Sequence, residues 1–141
     1  MRDKKGVHNS FESSDLVNAI DWRQKTYFPE LFYYYKGLIS LRKNHPAFRM
    51  GDAEKVRRHL KFLPVEGDNL IAFTLNNNAN GDSWETILVA FNTRPETARL
   101  EIPAGKYTIV CADGQINEAG LARIEGDQIM IPAQSALIMY K

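Results

Sequence analysis

At Gly51 the spacing of apolar residues changes, and that change limits what the chain can fold into. Before it, PELFYYYKGLISLRKN (Pro29–Asn44) carries apolar residues at three-to-four spacing, the period of a helix. Pro29 suits the first helical position, Glu30 the positive end of the dipole, and His45-Pro46 a stop, because a residue before proline is pushed out of the α region. Leu31, Tyr35, Leu38 and Leu41 with Phe32 and Ile39 make one broad stripe on this helix. Gly37, mid-helix, costs about 1 kcal/mol relative to alanine and hints at the close approach of another backbone.

After Gly51 the runs are short and strand-like. The pattern predicts strands at Val56–Leu63, Leu70–Leu75, Thr86–Phe91, Ala98–Ile102, Tyr107–Cys111, Gln128–Ile131 and Ala136–Tyr140, with a shorter one at Ala122–Glu125. Gly67-Asp68-Asn69, Pro103-Ala104-Gly105 and Gly126-Asp127 read as hairpin connections, and Asn76–Ser83 (NNNANGDS) as a polar loop with an Asn-Gly step. So many short strands at this spacing indicate an antiparallel β-sandwich, preceded by a loop and one amphipathic helix. Ile87–Phe91 is continuously apolar and is expected at the centre, covered on both faces. The division is therefore residues 1–50 and a sandwich of residues 51–141. One small sandwich cannot cover the whole helical stripe, so either the helix collapses onto it or two copies pair as a homodimer through helix 29–44.

Composition removes several function classes. The net charge of the 141 residues is +1, with no basic stripe or acidic tail, which gives nucleic-acid binding little support. One cysteine, Cys111, excludes an internal disulfide framework and a Cys-rich zinc site. His8, His45, His59 and Cys111 fit no zinc spacing, so no metal and no cofactor are expected. No apolar run approaches the ~20 residues of a membrane-spanning helix, so no membrane association is expected, and MRDKKGVHNS lacks the apolar stretch of a secretory signal. Lys55, Arg57, Arg58, His59 and Lys61 suggest an anion patch, but strand alternation would split them between two faces. Tyr33-Tyr34-Tyr35 point in three directions on a helix, which favours packing over a sugar platform. Trp84 is the best candidate for an exposed sugar-stacking residue, with help from Tyr107, and a core role carries more weight.

KKGVHNSFESSDLVNAIDW (Lys4–Trp22), followed by YYYKGLISLRKNHPAFRM (Tyr33–Met50), resembles type I pullulanases, α-glucan debranching enzymes of the α-amylase superfamily of glycoside hydrolases. Asn9-Ser10-Phe11 stands where that family usually has Asn-Ser-Tyr, while Asp15, Asn18 and Ile20-Asp21-Trp22 match. The closing Ile131–Ile138 is similar to the superfamily's terminal strand, which commonly reads P-A-x-S-A. The resemblance implies the C-terminal part of a longer enzyme that cleaves α-1,6-glucosidic links in pullulan and branched α-glucans. Residues 1–28 would be the loop after the eighth strand of a (β/α)8 barrel, 29–44 its eighth helix, and 51–141 the C-terminal sandwich against it. Asn9, Asp15 and Asn18 would line the rim of the substrate cleft. On the residues alone, Asp15 capping a helical turn and Asn18 bracing a loop is the favoured reading, and the resemblance sets the cleft role level with it.

Retaining glycosidases need two carboxyl groups about 5–5.5 Å apart, one of them kept protonated by its surroundings. In that family the nucleophile Asp, the acid/base Glu and a third Asp come from earlier strands, and none of their motifs is in this chain. Asp3, Glu12, Asp15 and Asp21 sit in a polar segment with no apolar run to raise a pKa. No catalytic residue is therefore assigned here, and the chain alone is expected to be inactive. Two further readings stay open: a stand-alone carbohydrate-binding sandwich, and a module whose only task is to stabilise a barrel.

Overall fold

The computed structural model describes Phe11 and residues 14–141. Two short helices, α1 (Asp15–Asn18) and α2 (Gln24–Tyr27), precede α3, which spans Pro29–Asn44 as the periodicity predicts. His45 is extended and Pro46–Arg49 forms a 3-10 turn, so proline ends the helix as expected. Helix α4 (Ala53–His59) leads into β1 (Leu60–Phe62), and β2 (Leu70–Leu75), β3 (Ile87–Asn92), β4 (Ala98–Ala112), β5 (Gln115–Ile116), β6 (Ala122–Ile131) and β7 (Ser135–Tyr140) follow.

The strands form one antiparallel sheet in the order β1-β2-β3-β7-β4-β5, with β6 paired to β4. Strand β3 lies between β2 and β7 and is buried at five of its six positions. Its alternate side chains serve two cores, which explains its unbroken apolar run. Leu88 and Ala90 meet Leu70, Ala72, Leu137 and Met139 together with Leu100 and Ile131 of β4 and β6. Ile87 and Val89 face the other way, onto Leu41 of α3, Ala47 and Ala79.

Three expectations need correction. Residues 56–59 are helical rather than strand, so only the end of Val56–Leu63 joins the sheet. The Asp52 carboxylate caps α4 by accepting from the amides of Glu54 and Lys55, Glu54 lies in the first turn, and Arg57, Arg58 and His59 lie in the last. Cap and dipole together outweigh the weak alternation of Val56, Leu60 and Phe62. Pro103-Ala104-Gly105 and Gly126-Asp127 are not hairpin turns but lie within β4 and β6, where Gly105 pairs with Gly126. The register shifts between Glu101 and Gly105, and a bulge there tolerates the missing N–H of Pro103. Tyr107 Oη donates to Pro103 O at 2.7 Å and holds that bend. The tight turn is instead Asp113-Gly114 between β4 and β5, with positive φ at both residues.

The third correction lies on α3, at Gly37, and the helix itself divides its stripe between two sides. Tyr34, Leu38 and Leu41 turn towards the sandwich, whereas Leu31, Phe32, Tyr35 and Ile39 are exposed. Collapse onto the sandwich therefore uses one side of the stripe and leaves the other open. Gly37 does meet a close neighbour, but it is a side chain: a Cβ there would lie 3.0 Å from Cβ of Ile116 in β5.

Gly37→Ala gains roughly 1 kcal/mol of helix propensity but must displace Ile116. We expect no stabilisation in the native background and a gain in an Ile116→Ala background. The coupling should be about 0.5–2 kcal/mol in a denaturant double-mutant cycle. Additive effects would mean that Ile116 does not hold this helix.

Candidate functional site

Residues 14–28 hold two of the polar positions singled out in the sequence, Asp15 and Asn18. Asp15 is the first residue of α1, with Ser14 in the cap position; its carbonyl accepts from the Ala19 amide at 2.7 Å. Asp15 is exposed and Asn18 half-buried, while Asn9 lies outside the described residues. Asp21 accepts from the Arg23 amide and from two guanidinium nitrogens, Nε and Nη2, each at 2.9 Å. Those hydrogen bonds draw the Asp21 carboxyl down to about 2, so it stays ionised and structural. Trp22, Tyr27 and Phe28 are exposed beside it, and Lys25 Nζ sits 4.2 Å above the Phe32 ring.

A buried carboxylate with three hydrogen-bond donors lies elsewhere, at Asp82. Its side chain is fully buried. Oδ1 accepts from His45 Nδ1 at 2.9 Å and from the Trp84 amide at 3.0 Å, and Oδ2 accepts from the Ala47 amide at 3.1 Å. Buried carboxylates persist only when such donors replace water. The Asp82 carbonyl accepts from Asn78 Nδ2, and Asn80 Nδ2 donates to Pro46 O. Above this network the His45 ring stacks on Trp84 at 3.4 Å, and Trp84 stacks on Tyr140 of β7 at 3.9 Å and 3°. Two rings at those distances cannot share one face of an indole, so both faces of Trp84 are taken within the chain. That arrangement argues for packing at Trp84.

Other candidates are dispersed. Tyr107 is buried against the first core. His59 Nδ1 bonds Asn76 O at 2.7 Å rather than Asp82, and His8 lies outside the described residues. Tyr34 Oη lies 3.7 Å from Cys111 Sγ; burial and that thiol push the phenol up to about 12, and burial also raises Cys111. Tyr33 and Tyr35 are exposed. Lys55 Nζ donates to Asn80 Oδ1, and Arg57 pairs with Glu54 on α4. A shallow groove of about 280 Å³ between Pro64–Glu66 and Arg99–Glu101 carries charged residues and no aromatic ring.

The described residues thus present no paired carboxylates in an apolar cleft, but two built features: an exposed aromatic helical face and a buried joint tying α3 to the sheet. Residues 56–115 match the family model of the pullulanase all-beta domain. The chain carries a pullulanase all-beta domain. It is 39% identical over 111 residues to a pullulanase of Bacillus subtilis (strain 168), a match covering 78% of this chain and 15% of that protein. The pullulanase of Bacillus acidopullulyticus superposes with a TM-score of 0.92 at 39% identity, over 99% of this chain and 17% of that one. The type I pullulanase of Bacillus subtilis str. 168, solved with maltose, gives 0.87 at 34% identity, over 99% and 19%. The superposition extends beyond the all-beta domain to α3, so the chain is a pullulanase segment with that domain at its core. It spans less than a fifth of the length of these relatives.

Two outcomes follow for the pullulanase domain. Asp82→Ala leaves the Ala47 and Trp84 amides and His45 Nδ1 without their acceptor, and should cost about 3–5 kcal/mol in urea unfolding, with a changed Trp84 emission. Tyr34 has a raised pKa when folded, so its contribution is present below its ordinary value of 10.0 and declines as pH rises towards about 12. Tyr34→Phe should flatten the loss of stability over that window, read from denaturation midpoints.

Proposed function

We propose that the chain is the C-terminal part of a pullulanase-type glycoside hydrolase that cleaves α-1,6-glucosidic links in pullulan and branched α-glucans with retention. Residues 1–50 are the end of its catalytic barrel, with α3 as the last barrel helix, and residues 51–141 are the C-terminal sandwich. The observation carrying this reading is that the superposition on pullulanases reaches across α3, the helix whose outer face, Leu31, Phe32, Tyr35 and Ile39, stays exposed. An apolar face on a helix already packed on its other side belongs against a further layer. The maltose complex of a solved relative supports an α-glucan substrate.

In this reading the chain supplies no catalytic carboxylate. Asn9, Asp15 and Asn18 lie at the rim of the cleft and hydrogen-bond sugar hydroxyls, while Asp82 and its partners fix the barrel's last helix to the sandwich. The sandwich thereby stabilises the barrel. A stand-alone carbohydrate-binding module, the alternative, would need an exposed aromatic row, and Trp84 is held between two rings.

The purified chain should release no reducing ends from pullulan, and titration with α-glucans should give no saturable binding. Turnover free of contaminating activity would overturn the truncated-enzyme reading, and saturable binding would favour the alternative. In the parent, Asp15→Ala and Asn18→Ala should each cost about 0.5–1.5 kcal/mol in kcat/KM, and unchanged kinetics would remove both from the cleft. In isolation the open face of α3 should drive self-association, which Phe32→Ser with Ile39→Ser should abolish in sedimentation experiments.

A further inference from the structure

The loop 76–83 contains an Asn-Gly step, Asn80-Gly81, that the reading above leaves without a role. Glycine has no Cβ to shield its amide nitrogen from the preceding side chain. Asn80 lies in the left-handed region (φ 55°), and a Cβ on Gly81 would meet nothing within 4 Å, so the backbone here is open. We infer that Asn80-Gly81 is a site of spontaneous covalent modification, gated by the contacts that tie this loop to the end of α3. The Gly81 amide nitrogen attacks Cγ of Asn80, a nitrogen–Cγ bond closes a cyclic imide, and the Cγ–Nδ2 bond breaks. The nitrogen's proton leaves with the departing group as ammonia. Water, the only co-reactant, then adds to either imide carbonyl and opens the ring to aspartate or isoaspartate, with no change of oxidation state.

Each group that must move is held. Asn80 Nδ2 donates to Pro46 O at 2.9 Å, Asn80 Oδ1 accepts from Lys55 Nζ at 3.0 Å, and the Gly81 amide donates to Asn78 O at 2.8 Å. The side chain cannot turn onto its own neighbour's nitrogen while these bonds stand, so reaction waits on local opening of the loop. The product harms the joint that protected it. An aspartate at position 80 sets a carboxylate oxygen against Pro46 O, two acceptors in place of a donor and an acceptor. Isoaspartate adds a main-chain carbon two residues before Asp82, whose carboxylate needs its three donors in register.

The test is peptide mapping of the 141-residue chain incubated at mildly alkaline pH, well below its melting temperature, beside the same chain in denaturant. The added mass of amide-to-acid conversion should appear first at Asn80 in denaturant and roughly tenfold or more slowly in the folded chain. Lys55→Ala should speed the folded reaction, and Gly81→Ala should suppress it in denaturant, where folding plays no part. Asn80→Asp should lower the melting temperature. Equal folded and denatured rates, or a Lys55→Ala rate matching the native one, would overturn the gating. First modification at another asparagine would overturn the site, and an unchanged melting temperature in Asn80→Asp would overturn the damage to the joint.

Discussion

One buried carboxylate connects the parts of this structure. Asp82 receives hydrogen bonds from His45, Ala47 and Trp84, which belong to the end of α3, the 3-10 turn after it and the approach to β3. A carboxylate taken out of water is costly unless donors replace the solvent, and here the donors come from segments far apart in sequence. The folded chain therefore satisfies Asp82 only when helix and sheet are in register. The rings above add area to the same joint: His45 and Tyr140 close over Trp84 from opposite sides. Below it, Leu41, Ala47 and Val89 form the apolar floor.

Much of this was legible in the sequence because the signals were local. The bounds of α3 follow from Pro29 and His45-Pro46, and the doubly covered β3 from five apolar residues in a row. Part of what is not legible depends on partners distant in the chain. That β4 runs unbroken through Pro103 cannot be read locally, because the bend needs the Gly105–Gly126 pairing and the Tyr107 hydroxyl. Asp113-Gly114 was a signal on its own terms, a turn dipeptide between apolar runs, as was Asp52 ahead of Glu54 for α4. The apolar stripe of α3 is legible in the sequence, but the division of its two sides is not. Helical periodicity marks every apolar position on a helix, whichever side is packed, and here Leu41 is buried on the sandwich while Leu31, Phe32, Tyr35 and Ile39 are exposed.

Asp82 itself was hidden in an Asn-rich loop that reads as solvent-exposed turn. Nothing in NNNANGDS distinguishes an aspartate that hydrates from one that is buried. The distinction appears only when α3 brings His45 across. Trp84 illustrates the same limit: an aromatic ring after a polar loop suits a sugar platform, until two further rings are found against it. The polar positions in residues 14–28 differ again, since their significance rests on what would lie opposite them.

The order of strands has a consequence for synthesis. Strand β7 comes last in sequence yet lies between β3 and β4, hydrogen-bonded to both. While the chain emerges from the ribosome, β2 and β3 can pair as a local unit, but the slot beside β3 stays empty until residues 135–140 are out. The edge of β3 must wait, unpaired, through the translation of about 40 residues, and that of β4 through about 20. The sheet is thus completed from its middle rather than from its rim. A nascent chain of this kind depends on shielding those edges until the final strand inserts.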